Sequence, residues 1–357
     1  MKLIAKILIL IIFLETFAVA RRLKFKTYRR RVRDDIDLPV IAHAIAYDTT
    51  HNNKSHEKFF STFEHIYEDE TLKKFKVSVG VTNDPLPGET DAAGVKPRAV
   101  IVVFRGTANW DNVLSDIQYS QVTLGGLTAC KGCEIHGGFS AAYLKLKSKL
   151  IQKLKDVLSK YATHRGIKIK HVIFTGHSLG GALANLGAYN FCNRRSHARS
   201  SPNEETKMFD VDNVSLITFG APRVGNASFK NFLDEEAGLK YNYRIIYAAD
   251  PVTGAPPKKI GEMTGSTKFE FVHAGTEIKY NKNDFNTPNL GNKNEDTCTN
   301  DTLNFWNTIN AIFDASDHSQ YKHINYKALW EKVVGHEVNF ITRHSQPGKS
   351  DGDQGDV

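Results

Sequence analysis

The stretch His171-Val172-Ile173-Phe174-Thr175-Gly176-His177-Ser178-Leu179-Gly180-Gly181-Ala182-Leu183 decides how this chain of 357 residues is read. Val172, Ile173, Phe174 and Thr175 are apolar or β-branched, the composition of a short buried strand. Gly176 to Gly180 then spell G-x-S-x-G, and Gly181-Ala182-Leu183-Ala184 has the small side chains of a closely packed helix start. Glycines two before and two after the serine leave room where a very tight strand-to-helix turn crowds its own backbone. Such a turn lifts the serine hydroxyl over the end of the sheet. The N-terminus of the following helix points N–H groups at the same place, which favours developing negative charge. Ser178 is therefore the candidate nucleophile. His177 is read as a supporting residue, because its side chain must leave so sharp a turn in another direction.

Outward from this turn, strands and helices alternate. Strands are expected at residues 75–81, 99–104, 170–175, 214–219 and 243–248, with one or two more between 269 and 280. Helices are expected at 140–161, from just after Ser178 to about 191, and at 228–236. In the first of these, Leu146, Leu150, Leu154, Val157 and Tyr161 fall on one face, with lysines elsewhere around it. No repeat of 20 to 50 residues is visible. The pattern gives an α/β fold of the α/β-hydrolase kind, a mostly parallel central sheet with helices on both faces.

In that fold the acid and the histidine follow the serine in chain order, at or beyond the carboxyl ends of strands. Tyr243-Arg244-Ile245-Ile246-Tyr247-Ala248-Ala249-Asp250-Pro251 is an apolar strand ending at a carboxylate, which makes Asp250 the candidate acid. Such an Asp accepts from a histidine Nδ1–H and sets the tautomer. Five histidines lie beyond it: His273, His318, His323, His336 and His344. His273 sits inside an alternating strand and reads as structural, and His336 and His344 lie close to the tail. His318 stands at a loop-to-helix junction and is favoured on spacing, with His323 its nearest rival.

Val102-Val103-Phe104-Arg105-Gly106-Thr107 is a strand ending in a glycine turn. The N–H groups of Thr107 and Leu179 are the candidate oxyanion hole, and a plain strand-end turn is the bland alternative. Just beyond, Trp110, Val113, Leu114 and Ile117 are spaced as one apolar helical stripe, opposite Asp111, Asn112, Ser115 and Asp116. An ordinary half-buried surface helix has the same pattern. The functional alternative is a lid that turns its apolar face to a lipid surface.

The ends read differently from the body. Residues 1–20 have the three parts of a secretory signal peptide: a basic start, an apolar run, and Ala18-Val19-Ala20 before the expected cleavage. The formal charge is +8, but residues 1–33 hold ten Lys and Arg and one acidic residue, leaving 37 basic and 38 acidic residues beyond. Basic character is thus confined to a leader at 21–35, either a solvated tail or a pro-segment. The folded part has no basic face with interleaved aromatics, so no nucleic-acid partner is expected. Residues 36–345 are expected to form one catalytic domain and 346–357 a disordered tail. The four cysteines fit an oxidising compartment. The simplest of their three pairings joins Cys130 to Cys133 and Cys192 to Cys298. C-x-x-C without a second such pair or matching histidines argues against zinc. N-x-S/T sites stand at Asn53, Asn213, Asn226 and Asn300.

Together these segments resemble the class 3 lipases, the fungal-type triacylglycerol lipase family. The resemblance rests on Phe104-Arg105-Gly106-Thr107, Asn109-Trp110, His136-Gly137-Gly138-Phe139, Gly176 to Ala182, and Thr218-Phe219-Gly220-Ala221-Pro222-Arg223-Val224-Gly225-Asn226. It spans roughly residues 40–340. It implies Asp250 as acid and His318, in Asp317-His318-x-x-Tyr321, as base. It implies too that His273, in Val272-His273-Ala274-Gly275, is not catalytic. The expected protein is a secreted, extracellular carboxylic ester hydrolase that needs no metal or organic cofactor. Its substrate is a lipid or another ester, met by transient contact with a lipid–water interface. The polar lid residues Asp111 and Asp116 keep phospholipases and soluble-ester (feruloyl-type) esterases open as alternatives. A secreted binding protein on an inactive hydrolase fold is the rival from another class.

Overall fold

The computed structural model describes residues 60–68, 75–83, 98–106, 120–123, 130–163, 169–203, 209–260, 269–284 and 287–291. Among the described residues eight strands form one sheet in the order β1-β2-β3-β6-β7-β8-β11-β12, and two small antiparallel pairs lie apart from it, β4 (Gln121–Thr123) with β5 (Glu134–His136) and β9 (Lys259–Ile260) with β10 (Phe269–Glu270). The central strands are β3 (Arg98–Phe104), β6 (Ile169–His177), β7 (Asn213–Phe219), β8 (Tyr241–Tyr247) and β11 (Thr276–Tyr280), all parallel to one another. Antiparallel strands complete both edges: β1 (Phe60–Tyr67) and β2 (Lys76–Thr82) on one side, β12 (Asn289–Leu290) on the other. Ala99 to Phe104 are wholly buried, as are Val172 to Gly176, which is why these strands read as continuous apolar runs.

The two long helices connect these strands. Helix α1 (Gly137–Thr163) leads into β6, and α2 (Leu179–Ser200) leads from β6 to β7. A short helix α3 (Ala227–Asn231) and a π-turn after it (Phe232–Glu236) lead from β7 to β8. Leu146, Leu150, Leu154, Val157 and Tyr161 of α1 enter one core with Leu183 and Leu186 of α2 and Val100, Val102, Val172, Phe174, Val214 and Leu216 of the sheet. Tyr189 of α2 meets Phe229 and Phe232, at 5.3 and 4.8 Å between ring centroids. The described helices therefore share one face. Ile101, Val103 and Ile173, pointing the other way, are buried as well. The second helical layer expected from the sequence lies outside the described residues.

Two departures from expectation have local causes. β1 carries no clean alternation, since Thr62 to Tyr67 are all intermediate or exposed, and only its pairing with β2 defines it. Helix α2 continues to Ser200, nine residues past the expected end. Its last turns are polar but anchored: Arg195 donates to the carbonyls of Ala237 and Gly238, and Arg199 to Asp210 and the Val211 carbonyl.

Candidate active site

β6 ends at His177 and α2 begins at Leu179, so Ser178 alone makes the turn. It does so at φ 63°, ψ −133°, a conformation that side chains other than glycine rarely adopt. The turn is over-determined by its surroundings. The Ser178 N–H donates to the Phe219 carbonyl at 2.9 Å, and the Ser178 carbonyl accepts from Gly181 and Ala182 at 2.9 and 3.3 Å. A Cβ on Gly176 would stand 2.3 Å from the Gly180 carbonyl oxygen, and one on Gly180 2.1 Å from that of Phe104. The first turn of α2 thus lies against the end of β3, at Phe104-Arg105-Gly106. No acidic side chain sits in that first turn, and Ser178 makes no side-chain cap bond, so the positive helix end is not neutralised from within. Ser178 is only 1% exposed.

Asp250 lies just past β8, two strands from the serine in the sheet order, at the same carboxyl edge. It caps a 3₁₀ turn at Pro251–Gly254 and is 3% exposed. Its Oδ1 accepts from the Val252 N–H at 2.9 Å, and its carbonyl from the Thr253 hydroxyl at 2.7 Å. His273 is buried just before β11, outside the strand expected for it, with Nε2 2.8 Å from the Thr253 carbonyl. Arg223 belongs to the turn motif at residues 218–226. It is fully buried and donates from its guanidinium to the carbonyls of Gly254 and Pro256. Its place in that motif gives it no role by spacing alone. An arginine inside an otherwise small and apolar turn sequence was the available signal.

The histidine of His136-Gly137-Gly138-Phe139 is also structural. Its Nδ1 accepts from the Gly138 N–H at 3.1 Å, and its ring packs on Phe139 and Phe271. Burial pulls its pKa down to about 4, so the ring is neutral near pH 7. Cys130 and Cys133 form a disulfide around Gly132, which has φ 76°. The other expected bridge, Cys192 to Cys298, is corrected: Cys192 carries a free thiol. It sits on α2 inside the main core, where burial pushes the thiol up to about 12. A bridge would have to bring a partner backbone into that packed layer. Asn226 uses its side-chain amide internally, accepting from Phe229 and Glu134 and donating to the Gly132 carbonyl. A glycan on Nδ2 would compete with the bond that this atom donates to Gly132.

Leu179, the described half of the expected oxyanion hole, is the first residue of α2. Its partner Thr107, the base His318 and its rival His323, the lid residues Trp110, Val113, Leu114 and Ile117, and Cys298 all lie outside the described residues. Among the described residues no group of three or more His, Cys, Asp or Glu is placed to hold a metal ion, and no helix is long and apolar enough to cross a membrane.

Comparison with known proteins agrees with this geometry. The lipase of Rhizopus niveus is 29% identical over 232 residues, covering 64% of this chain and 49% of the relative. The chloroplastic phospholipase A(1) DAD1 of Arabidopsis thaliana is 26% identical over 227 residues, covering 56% and 47%. The chain thus spans about half the length of these curated relatives. Among solved structures, lipase II from Rhizopus niveus superposes with a TM-score of 0.54 at 20% identity, over 85% of this chain and 97% of that one, which shows the shared fold. Residues 101–260, from β3 through both the serine and the acid turn, match the family model described as Lipase (class 3). Over this segment, which carries both turns, the chain is similar to the class 3 lipase family.

Proposed function

We propose that the chain is a secreted carboxylic ester hydrolase, a triacylglycerol lipase acting through Ser178, His318 and Asp250. The observation that carries the reading is Ser178 at positive φ between β6 and α2, with the buried Asp250 turn at the same edge of the sheet. His318 takes the Ser178 proton as Oγ attacks the ester carbonyl, and Asp250 stabilises the imidazolium. The tetrahedral oxyanion rests on the N–H groups of Thr107 and Leu179. The alcohol leaves with the proton from His318, and water releases the acid from the acyl-enzyme by the same steps in reverse roles. Trp110, Val113, Leu114 and Ile117 form the lid. Burial of Ser178 supports a lid, since an ester carbonyl reaches its Oγ only when something moves aside. The catalytic unit spans residues 36–345, behind a removable signal at 1–20 and a basic leader at 21–35, with a tail at 346–357. The signal pattern and the Cys130–Cys133 disulfide support an extracellular site of action.

A second reading, a phospholipase on the same triad, is favoured by the polar lid residues Asp111 and Asp116 and by the likeness to a plant phospholipase. The deciding experiment has two stages. A fluorophosphonate probe should label the wild type, while Ser178→Ala should be unlabelled and lose on the order of 10⁶-fold in kcat. Equal labelling of the two would remove the serine hydrolase reading. Triglyceride, phospholipid and soluble ester are then assayed side by side across their solubility limits. A rate that rises abruptly as triglyceride passes that limit is expected for the lipase; preference for phospholipid would select the second reading.

A further inference from the structure

We propose that Arg223 is a positioning residue for the triad carboxylate, gripping the turn from Asp250 to Pro256 from outside while His273 holds it on a second side. This rests on the reading of Asp250 as the triad acid. The observation is a run of four successive carbonyls with assigned partners. The Thr253 carbonyl is met by His273 Nε2, at 2.8 Å. Those of Gly254 and Pro256 accept from the Arg223 guanidinium, at 2.5 and 3.0 Å, and that of Ala255 from the Arg223 backbone N–H, at 2.8 Å.

The bonds inside the turn cannot do this work. Oδ1 on the Val252 N–H and the Thr253 hydroxyl on the Asp250 carbonyl lock the carboxylate to its own turn. They leave open where the turn sits relative to the sheet. Upstream, the chain leaves β8 through Ala248 at φ 49°, tied to the Tyr280 carbonyl at 2.7 Å. Downstream, the place of the turn is set by Arg223, which follows β7 on the strand nearer the serine. That post-β7 segment follows directly on Phe219, the last residue of β7, whose carbonyl holds the Ser178 N–H. One short segment, 219–223, therefore touches both the nucleophile turn and the acid turn and fixes their separation. A buried guanidinium is unfavourable unless its donors find acceptors, and an apolar side chain would fill the same space more cheaply. What an apolar side chain cannot do is span two carbonyls with a rigid planar fork.

The test is a set of double-mutant cycles on the full chain with a soluble ester. Arg223→Met and Arg223→Lys, His273→Leu and His273→Gln are each made alone and with Asp250→Ala. With Asp250 present, Arg223→Met should lower kcat about 10- to 100-fold with KM little changed. Lys, which keeps the charge, and Gln at 273, which keeps a donor, should recover part of the loss. With Asp250→Ala, the same substitutions should leave kcat where Asp250→Ala alone puts it, because the group they position is gone. Equal fold losses in both backgrounds, or unaltered kcat in folded Arg223→Lys and His273→Leu chains, would overturn the proposal. Failure of the hydrolase reading looks different: the wild-type chain itself neither turns over the ester nor takes a fluorophosphonate, which removes that reading and this one together.

Discussion

The turn that carries Ser178 and the turn that carries Asp250 solve one problem in opposite ways. Each holds a side chain of the proposed triad at the carboxyl edge of the sheet. The serine turn is held by what is missing: Gly176 and Gly180 lack the Cβ atoms that would strike backbone at 2.3 and 2.1 Å. Its instructions occupy five consecutive residues. The acid turn is held by what is supplied from afar: Arg223, 27 positions before Asp250, and His273, 23 positions after it. Sterically strained turns are written locally, whereas turns fixed by hydrogen bonds to their carbonyls are written wherever the donors happen to be.

The comparison can be broken most severely from the acid side. Arg244 of β8 and Glu277 of β11 face each other in register, as a buried ion pair at 2.6 Å. Glu277→Leu takes this carboxylate from the buried guanidinium and should lower unfolding free energy by about 3–5 kcal/mol. The pair Arg244→Met with Glu277→Leu should recover most of that in urea unfolding; no recovery would mean the two charges do not act as a pair.

A smaller effect is expected on the serine side. Gly180→Ala forces α2 away from Phe104 and should destabilise by about 1–3 kcal/mol, the usual range for overpacking. The loss in kcat should exceed what a fall in folded fraction explains, because the Leu179 N–H moves with the helix. A purely thermal defect, with full activity at low temperature, would show that the close approach at Gly180 serves packing alone.

His136 gives a pH-dependent effect of intermediate kind. Its folded pKa of about 4 lies below the ordinary 6.5, so the unfolded chain binds the proton more readily between those values. Its stability contribution is present above pH 6.5 and is lost as pH falls towards 4. His136→Asn should flatten that part of the melting temperature–pH curve; an unchanged slope would assign the acid sensitivity elsewhere.

The smallest change comes from Asn226, which caps α3 and ties it to the disulfide turn at Gly132. Asn226→Ala should cost about 1 kcal/mol, a usual value for a lost cap. Melting curves with the Cys130–Cys133 bridge intact and reduced would show whether the tie matters beyond the cap.

How much was legible follows the same division. Ser178, Asp250 and the strands around them could be read because buried parallel strands are continuous apolar runs, and a glycine-flanked serine after one has few other uses. β1 could not, because an edge strand with no buried face leaves no period. The end of α2 could not, because Arg195 and Arg199 hold polar turns in place through residues 11 to 43 positions away. The expected Cys192–Cys298 bridge failed for a related reason: counting cysteines says nothing of which thiol faces the core.

The sequence by itself determined the order of elements, the strained serine and the carboxylate at the end of β8, because backbone sterics and hydrophobic periodicity act between near neighbours. Only the tertiary structure decided that Arg223 and His273 close on the acid turn, that Arg244 meets Glu277, and that Cys192 stays a thiol. Hydrogen bonds and ion pairs form between groups close in space, and proximity across a sheet leaves no mark on the spacing of residues along the chain.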